Sequence, residues 1–309
     1  MFRRLFVVMT LVVIGFGSAI QATAQDAGTP PAGFAESGPI LGVDGSVLGS
    51  IQVTAIEDPF LNYDPTSPPA YGMRFVAVTF DIDATGDRPW SFNPGHLVAV
   101  DNNGFLISGA SPRLSADAVV ALLANQDVAP AATLTGTMVF PVAKDASLDR
   151  IAYAPASDRH VVIARLGDVP PAPGEPVTVV ASDGSVIAEI TVSDVQNPFT
   201  AFDQSSPPQR GSNYVLVTVS VTNPGPRPMR LDPNAFLVVD VEGFVYRPVG
   251  IRREETPPAD LAYTDPFAAG GSVTGGLGYQ VLSGIGLETL VFVPASDRLV
   301  ELATIGNGS

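Results

Sequence analysis

A five-residue phrase occurs twice in this chain, as Pro155-Ala156-Ser157-Asp158-Arg159 and as Pro294-Ala295-Ser296-Asp297-Arg298. The displacement is 139 residues (294 minus 155), and it aligns far more than the phrase. Asp44-Gly45-Ser46-Val47 falls on Asp183-Gly184-Ser185-Val186, Pro59-Phe60 on Pro198-Phe199, and Ser67-Pro68-Pro69 on Ser206-Pro207-Pro208. Arg88-Pro89 meets Arg227-Pro228 and Gly104-Phe105 meets Gly243-Phe244, with no gap needed along the register. A unit of that length buries about two-thirds of its unfolded surface, enough for one hydrophobic core. The chain therefore reads as one domain written twice.

An export signal precedes the first copy. Arg3 and Arg4 form a basic start, Leu5 to Phe16 an apolar run, and Ala22-Thr23-Ala24 a small-residue cleavage site. The apolar run is shorter than the ~20 residues that a membrane-spanning helix needs, so release after Ala24 is expected and no membrane span after cleavage. The expected division is a signal over 1–24, a flexible leader over 25–38, a first copy over 39–168, a Pro-rich linker over 169–176 and a second copy over 177–309. Four prolines between Pro170 and Pro176 favour an extended, semi-rigid spacer.

Within each copy the pattern is that of short strands. Asp44-Gly45 and Asp183-Gly184 sit between β-branched residues, a hairpin cue because the turn needs residues that tolerate positive φ. Phe75, Val76, Val78, Phe80 and Ile82 belong to an alternating run in the first copy, and Tyr214 to Val221 to one in the second. Leu97 to Val100 and Phe236 to Val239 run into turns at Asp101-Asn102-Asn103-Gly104 and Asp240-Val241-Glu242-Gly243. Ser115-Ala116-Asp117 predicts a short crossover helix with Val119, Leu122 and Leu123 on one face, and Pro257-Pro258 starts its counterpart. The repeated Pro-Ala-Ser-Asp-Arg phrase reads as the turn of a closing hairpin, with each Arg laying its stem on the sheet. Six to eight strands per copy, separated by turn signals, predict an all-β chain of two tandem immunoglobulin-like antiparallel β-sandwiches.

The order of motifs in the second copy, from Gly211 through Asn223, Asp240, Gly243 and Gly275 to Val293, resembles the telokin-like extracellular immunoprotective domain of bacteria. The first copy follows with Gly72, Asp101, Gly104 and Gly136 but has Ala84 in place of the Asn. The resemblance implies a secreted or surface-exposed β-sandwich of unknown function and brings no catalytic residues with it.

Charge and residue chemistry narrow the function. The formal charge is −15, and loss of Arg3 and Arg4 makes it −17, which repels phosphate backbones and excludes nucleic acid as a partner. The chain has no Cys, so disulfides, thiol nucleophiles and zinc-thiolate sites are excluded. His96 and His160 face Ala235 and Leu299 in the other copy and lie in no triad or ligand spacing, so both read as structural. Asp101-Asn102-Asn103-Gly104 resembles a calcium loop superficially, but Val241 replaces Asn102 in the second copy, and a turn is the simpler reading. Trp90, aligned with Met229, reads as core filling.

No catalytic residue, metal or cofactor is expected. The expected function is that of a secreted, non-enzymatic binding protein for an extracellular protein or glycan, with an accessory pair for an extracellular enzyme or transporter complex as the alternative. The candidate contact residues lie on the long loops Asp58–Tyr71 and Asn197–Arg210, since loops of such length are either functional or disordered. Tyr71 and Arg210 occupy one aligned place and differ in kind, which suits copy-specific contacts; Tyr63 and Phe202 repeat an aromatic in each loop. Phe60 and Phe199 are expected to fold inward beneath those loops.

Overall fold

The computed structural model describes residues 37–42, 46–253, 258–263 and 266–306. The expected signal, nearly all of the expected leader, the Asp44-Gly45 turn expected from the sequence and Pro257 lie outside the described residues.

The alternating apolar pattern becomes strand throughout. In chain order these are β1 (Gly38–Leu41), β2 (Val47–Glu57), β3 (Met73–Ala84), β4 (Trp90–Phe92), β5 (Leu97–Asp101), β6 (Leu106–Ser108), β7 (Gln126–Val128), β8 (Thr133–Ala143), β9 (Leu148–Ala156) and β10 (Arg159–Arg165). The second half follows with β11 (Pro176–Val180), β12 (Val186–Gln196), β13 (Ser212–Thr222), β14 (Phe236–Asp240), β15 (Val245–Tyr246), β16 (Ser272–Leu282), β17 (Leu287–Phe292) and β18 (Val300–Thr304). The first half has ten strands rather than eight at most, because Trp90–Phe92 and Gln126–Val128 pair as a separate ribbon.

All ladders between the strands are antiparallel. The first half forms sheets ordered β1-β2-β3-β8 and β10-β9-β5-β6, and the second half sheets ordered β11-β12-β13-β16 and β15-β14-β17-β18. The registers repeat at the sequence displacement: Met73 opposes Ala143 and Ser212 opposes Leu282, while Leu97 opposes Tyr153 and Phe236 opposes Phe292. Even the irregularities recur, between Val53 and Ala55 in β2 and between Val192 and Asp194 in β12.

Side-chain alternation sorts each strand between two environments. On β3, Val76, Val78, Phe80 and Ile82 join Leu97, Ile151 and Tyr153 of the other sheet in one core. Phe75 and Ala77 point the other way, into a separate cluster with Phe60 and Val139. The second half builds an equivalent core from Val215, Val217, Val219 and Val221 with Phe236, Leu290 and Phe292.

The expected crossover helix is absent: the described residues contain no α-helix, and 115–123 crosses the sheet in extended and turn conformation. The segment instead pairs locally with β8, where Leu122 bridges Thr137, the Thr137 N–H donates to the Ala121 carbonyl, and the Leu123 N–H donates back to the Thr137 carbonyl. Backbone partners on β8 and apolar cover for Val120 and Leu122 outweigh a two-turn helix with one apolar face. Gly136 makes this approach possible, since a Cβ there would lie 2.6 Å from the Leu123 side chain. Gly275 has the same relation to Leu261, and Asp260 bridges Gly276 as Leu122's neighbourhood does Thr137.

Candidate functional site

Two regions compete as the site. The first is the pair of long loops. Phe60 and Phe199 are buried, and Phe60 packs with Phe75, Ala77 and Val139 on the outer face of the β3–β8 ladder. Phe199 lies on Tyr214, Leu216 and Ile251 in the same manner. The loop aromatics thus cover a sheet face, not an end of the sheets.

Tyr63 and Phe202 are half-buried and set edge-on against Phe75 and Tyr214, each at 5.3 Å between ring centroids. Local hydrogen bonds hold the backbone: Asp64 accepts from the Thr66 N–H and hydroxyl, and Asp203 from the Ser205 N–H, which holds both carboxyls below the ordinary carboxylate range. In the first loop Arg74 grips Asp58 through two bonds of 2.6 and 2.8 Å and also donates to the Ala146 carbonyl. From this anchored frame Tyr71 projects entirely into solvent, and Leu61 and Arg210 are exposed. The structure therefore separates the four candidates: Tyr71 and Arg210 are free at the tips, while Tyr63 and Phe202 have their rings against the sheet.

The second region was not foreseen. The repeated phrase closes the β9–β10 hairpin in the first half, and in the second it links β17 to β18. Each arginine, however, lies on the other half. The Arg159 guanidinium sits over the Phe244 ring at 3.7 Å, and that of Arg298 over Phe105 at 4.2 Å. The backbones exchange hydrogen bonds reciprocally. The Val245 N–H donates to the Asp158 carbonyl at 2.9 Å and the Leu106 N–H to the Asp297 carbonyl at 2.8 Å. The His160 N–H donates to the Gly243 carbonyl and the Leu299 N–H to the Gly104 carbonyl, both at 2.7 Å.

The two aspartate turns shape this seam. Asp101 accepts from the N–H groups of Asn103 and Phe105, and Asp240 from those of Glu242 and Phe244, with Tyr246 donating its hydroxyl to the second oxygen of Asp240. Gly104 and Gly243 stand at φ +79° and +81°, where L side chains are strained. A Cβ on Gly104 would come within 2.8 Å of Val300, and one on Gly243 within 2.6 Å of Val161, each across the seam. Asp101 and Asp240 thus each hold the backbone of their own turn.

Between the turns the outer faces of the inner strands are buried. Val100 and Ala152 on one side and Leu237, Val239 and Val291 on the other have almost no exposure. A charge cluster lies among them. Arg150 pairs with Asp149 and, at 3.4 Å, with Glu301, and also donates to the Leu299 carbonyl. Arg165 pairs with Glu301 at 2.6 Å and Glu288 at 3.7 Å. The side chains of Arg150 and Glu301 are 3% and 8% exposed. Burial raises the Asp149 and Glu288 carboxyls, against the pull of Arg150 and Arg165 respectively. His160 lies in the same surroundings, and its pKa is pushed down to about 4, by burial first and then by the Arg150 charge. At the edge of the cluster is a shallow cleft lined by Asp101, Asp149, Arg150, Pro171, Thr178 and Glu301.

Among the described residues no group of three or more His, Asp or Glu could hold a metal ion, and no helix is long and apolar enough to cross a membrane. His96 stacks edge-on with Tyr153 and is hydrogen-bonded to Asn93. Trp90 is buried in the first core. A family described as "Domain of unknown function (DUF4352)" matches residues 182–297, most of the second half and well short of half the chain. No curated protein matches the chain.

Proposed function

We propose that this is an exported, non-enzymatic binding protein of two tandem immunoglobulin-like β-sandwiches, related to the telokin-like extracellular domains. Its loop tips contact an extracellular protein or glycan. The observation that carries this reading is Tyr71: a large aromatic in full solvent contact on a loop whose other aromatics, Phe60 and Tyr63, lie buried and half-buried against the sheet and whose base is clamped by Arg74 and Asp58. Exposed aromatics on a rigid frame lose little entropy on binding, and Tyr and Arg are the side chains that dominate interfaces. The recurring ladder registers support the tandem reading, and the separate cores support two bodies. Matching of the second half to a domain of unknown function is in keeping with that division.

A second reading is favoured by the seam. A pair of domains joined by reciprocal contacts presents its two loop sets at fixed spacing, which suits an accessory or scaffolding role in an extracellular enzyme or transporter complex. One experiment separates the two. Mature protein, wild type and the Tyr71→Ser/Arg210→Ser double variant, is used as bait in the native culture. Recovery of one soluble protein or glycan by wild type alone supports the binding reading; recovery of a multi-subunit surface complex supports the second. Equal recovery by both baits rejects the loop tips as the contact.

A further inference from the structure

The seam has the form of an isologous contact, in which a residue of one body touches its partner's equivalent and the reverse also holds. Arg159 on Phe244 and Arg298 on Phe105 are such a pair, as are the four backbone bonds around them. Each half therefore carries both the arginine turn and the glycine-phenylalanine hairpin that receives it. On those contacts alone, two first halves or two second halves would fit as well as one of each.

The charges break that equivalence. Displacement by 139 carries Asp149 onto Glu288, Arg150 onto Thr289 and Arg165 onto Thr304, while Glu301 falls on Val162. A first half against a second half brings two guanidiniums, Arg150 and Arg165, to three carboxylates, Asp149, Glu288 and Glu301, with every group in an ion pair. Two second halves would bring together four of these carboxylates and neither guanidinium. Two first halves would bring four guanidiniums and only two carboxylates. Buried charges lacking partners are strongly unfavourable, and such groups are best attested as devices that fix register and partner.

We propose that the seam is a charge-addressed pairing surface that accepts a first half against a second half, in the same chain or in another copy of it, and rejects like against like. The occupant each half fits is the other half of the chain, which the reciprocal contacts of Arg159 and Arg298 already seat there. The inference rests on the tandem reading above only in treating the halves as two bodies of one fold.

The test uses the intact chain, folded and then cut. A protease recognition sequence is inserted between Asp168 and Val169, both exposed and outside any strand. After cleavage the halves should elute together at concentrations on the order of 1 µM, and Arg165→Glu should weaken that association by about 100-fold. Mixing two cut preparations that carry tags of different mass should give, by native mass spectrometry, exchanged first–second pairs and no first–first or second–second pairs. Like pairs as abundant as mixed ones would overturn the charge address, as would an unchanged association in Arg165→Glu. Separation of halves that each keep a cooperative melt would overturn the pairing yet leave the tandem reading standing; halves that lose their melts on cutting would overturn the tandem reading itself. On the uncut chain, Arg165→Glu should accelerate hydrogen exchange at the His160 and Leu299 amides, which donate across the seam, and leave Val217 in the second core protected. Equal protection at all three amides would also overturn the proposal.

Discussion

Two outer faces of the first half are buried, and by opposite means. The β3–β8 face is covered by its own chain: the loop that follows β2 lays Phe60 and Tyr63 over Phe75, Ala77 and Val139. The β5–β9 face is covered by the other half, through an arginine on a phenylalanine, reciprocal backbone bonds and buried ion pairs. Cover supplied by a neighbouring loop needs only apolar area, because chain connectivity brings it to the right place. Cover supplied by a separately packed body must be found and oriented, and directional groups do that. The loop-covered face should therefore fail by losing area, and the seam by losing charge and hydrogen-bond partners.

The largest expected effect is on the loop-covered face. Phe60→Ala removes a fully buried ring and should cost about 3–5 kcal/mol of the first half's stability. Phe199→Ala should cost a similar amount in the second, where Phe199 is 4% exposed. Chemical denaturation followed by Trp90 fluorescence checks the first; Trp90 lies in the first half's core. If Phe60→Ala lowers stability by less than about 1 kcal/mol, the loop does not share the core's burial, and the comparison between the two faces collapses.

The next effect belongs to the seam and depends on pH. His160 is buried with a folded pKa of about 4, below its ordinary value of 6.5. The unfolded chain therefore takes up a proton before the folded one does, so the stabilising contribution is complete above pH 6.5 and is lost as pH falls from there to about 4. The full span is worth about 3 kcal/mol. His160 is surrounded by Arg150, Arg165 and Glu301, with Asp149 and Glu288 in the same cluster. Asp149 and Glu288, raised by burial, act with the opposite sign, taking up protons earlier in the folded state. Subtracting the profile of His160→Leu, which installs the residue found at the aligned position of the second half, isolates the histidine. A difference that stays flat between pH 6.5 and 4 would show that the imidazole is not shielded in the seam.

The two stacked arginines sharpen the comparison further, because they are aligned in sequence and unequal in partners. Arg298 donates to the Asn103 and Val180 carbonyls besides covering Phe105, and it is 5% exposed. For Arg159, Phe244 is the ring partner and one terminal nitrogen lacks a hydrogen-bond partner. Arg298→Ala should cost about 2 kcal/mol and Arg159→Ala about 1, read as midpoints in urea. Equal losses would mean that stacking on the ring, and not the bond to the Asn103 carbonyl, is what Arg298 contributes across the seam.

Much of the fold was legible in the residues. Alternation predicted β3 and β13, and the Asp-to-Gly runs predicted the turns after β5 and β14, because strand period and turn chemistry are local. The helix expected at 115–123 did not form because its rival was an isolated parallel bridge to β8, with backbone bonds on either side of it, admitted by Gly136. The seam was hidden for a related reason. Pro-Ala-Ser-Asp-Arg satisfies every requirement of a turn, so nothing local to it ties Arg159 and Arg298 to rings in the other half. One signal did exist: identity across all five positions exceeds what a turn demands, and the Gly-Phe pairs at 104–105 and 243–244 repeat as faithfully. Two motifs kept together in both halves are what a reciprocal contact requires. The charge cluster, by contrast, shows as divergence between aligned positions, with Arg150 against Thr289 and Arg165 against Thr304.

The smallest expected effect on stability falls at the loop tips, and its smallness is the point. Tyr71 and Arg210 are exposed, and neither covers a sheet face nor crosses the seam. Substitutions at such positions usually change stability by no more than about 0.5 kcal/mol. Tyr71→Ser/Arg210→Ser should therefore melt with the wild type, while under the binding role proposed above its recovery of a partner falls. Neighbouring Tyr63 provides the control, since its ring is set on Phe75, and Tyr63→Ser should lower the melting temperature. A double variant that melts well below wild type would place the tips within the cover of the β3 and β13 faces, and any lost binding would then report loss of fold rather than loss of contact.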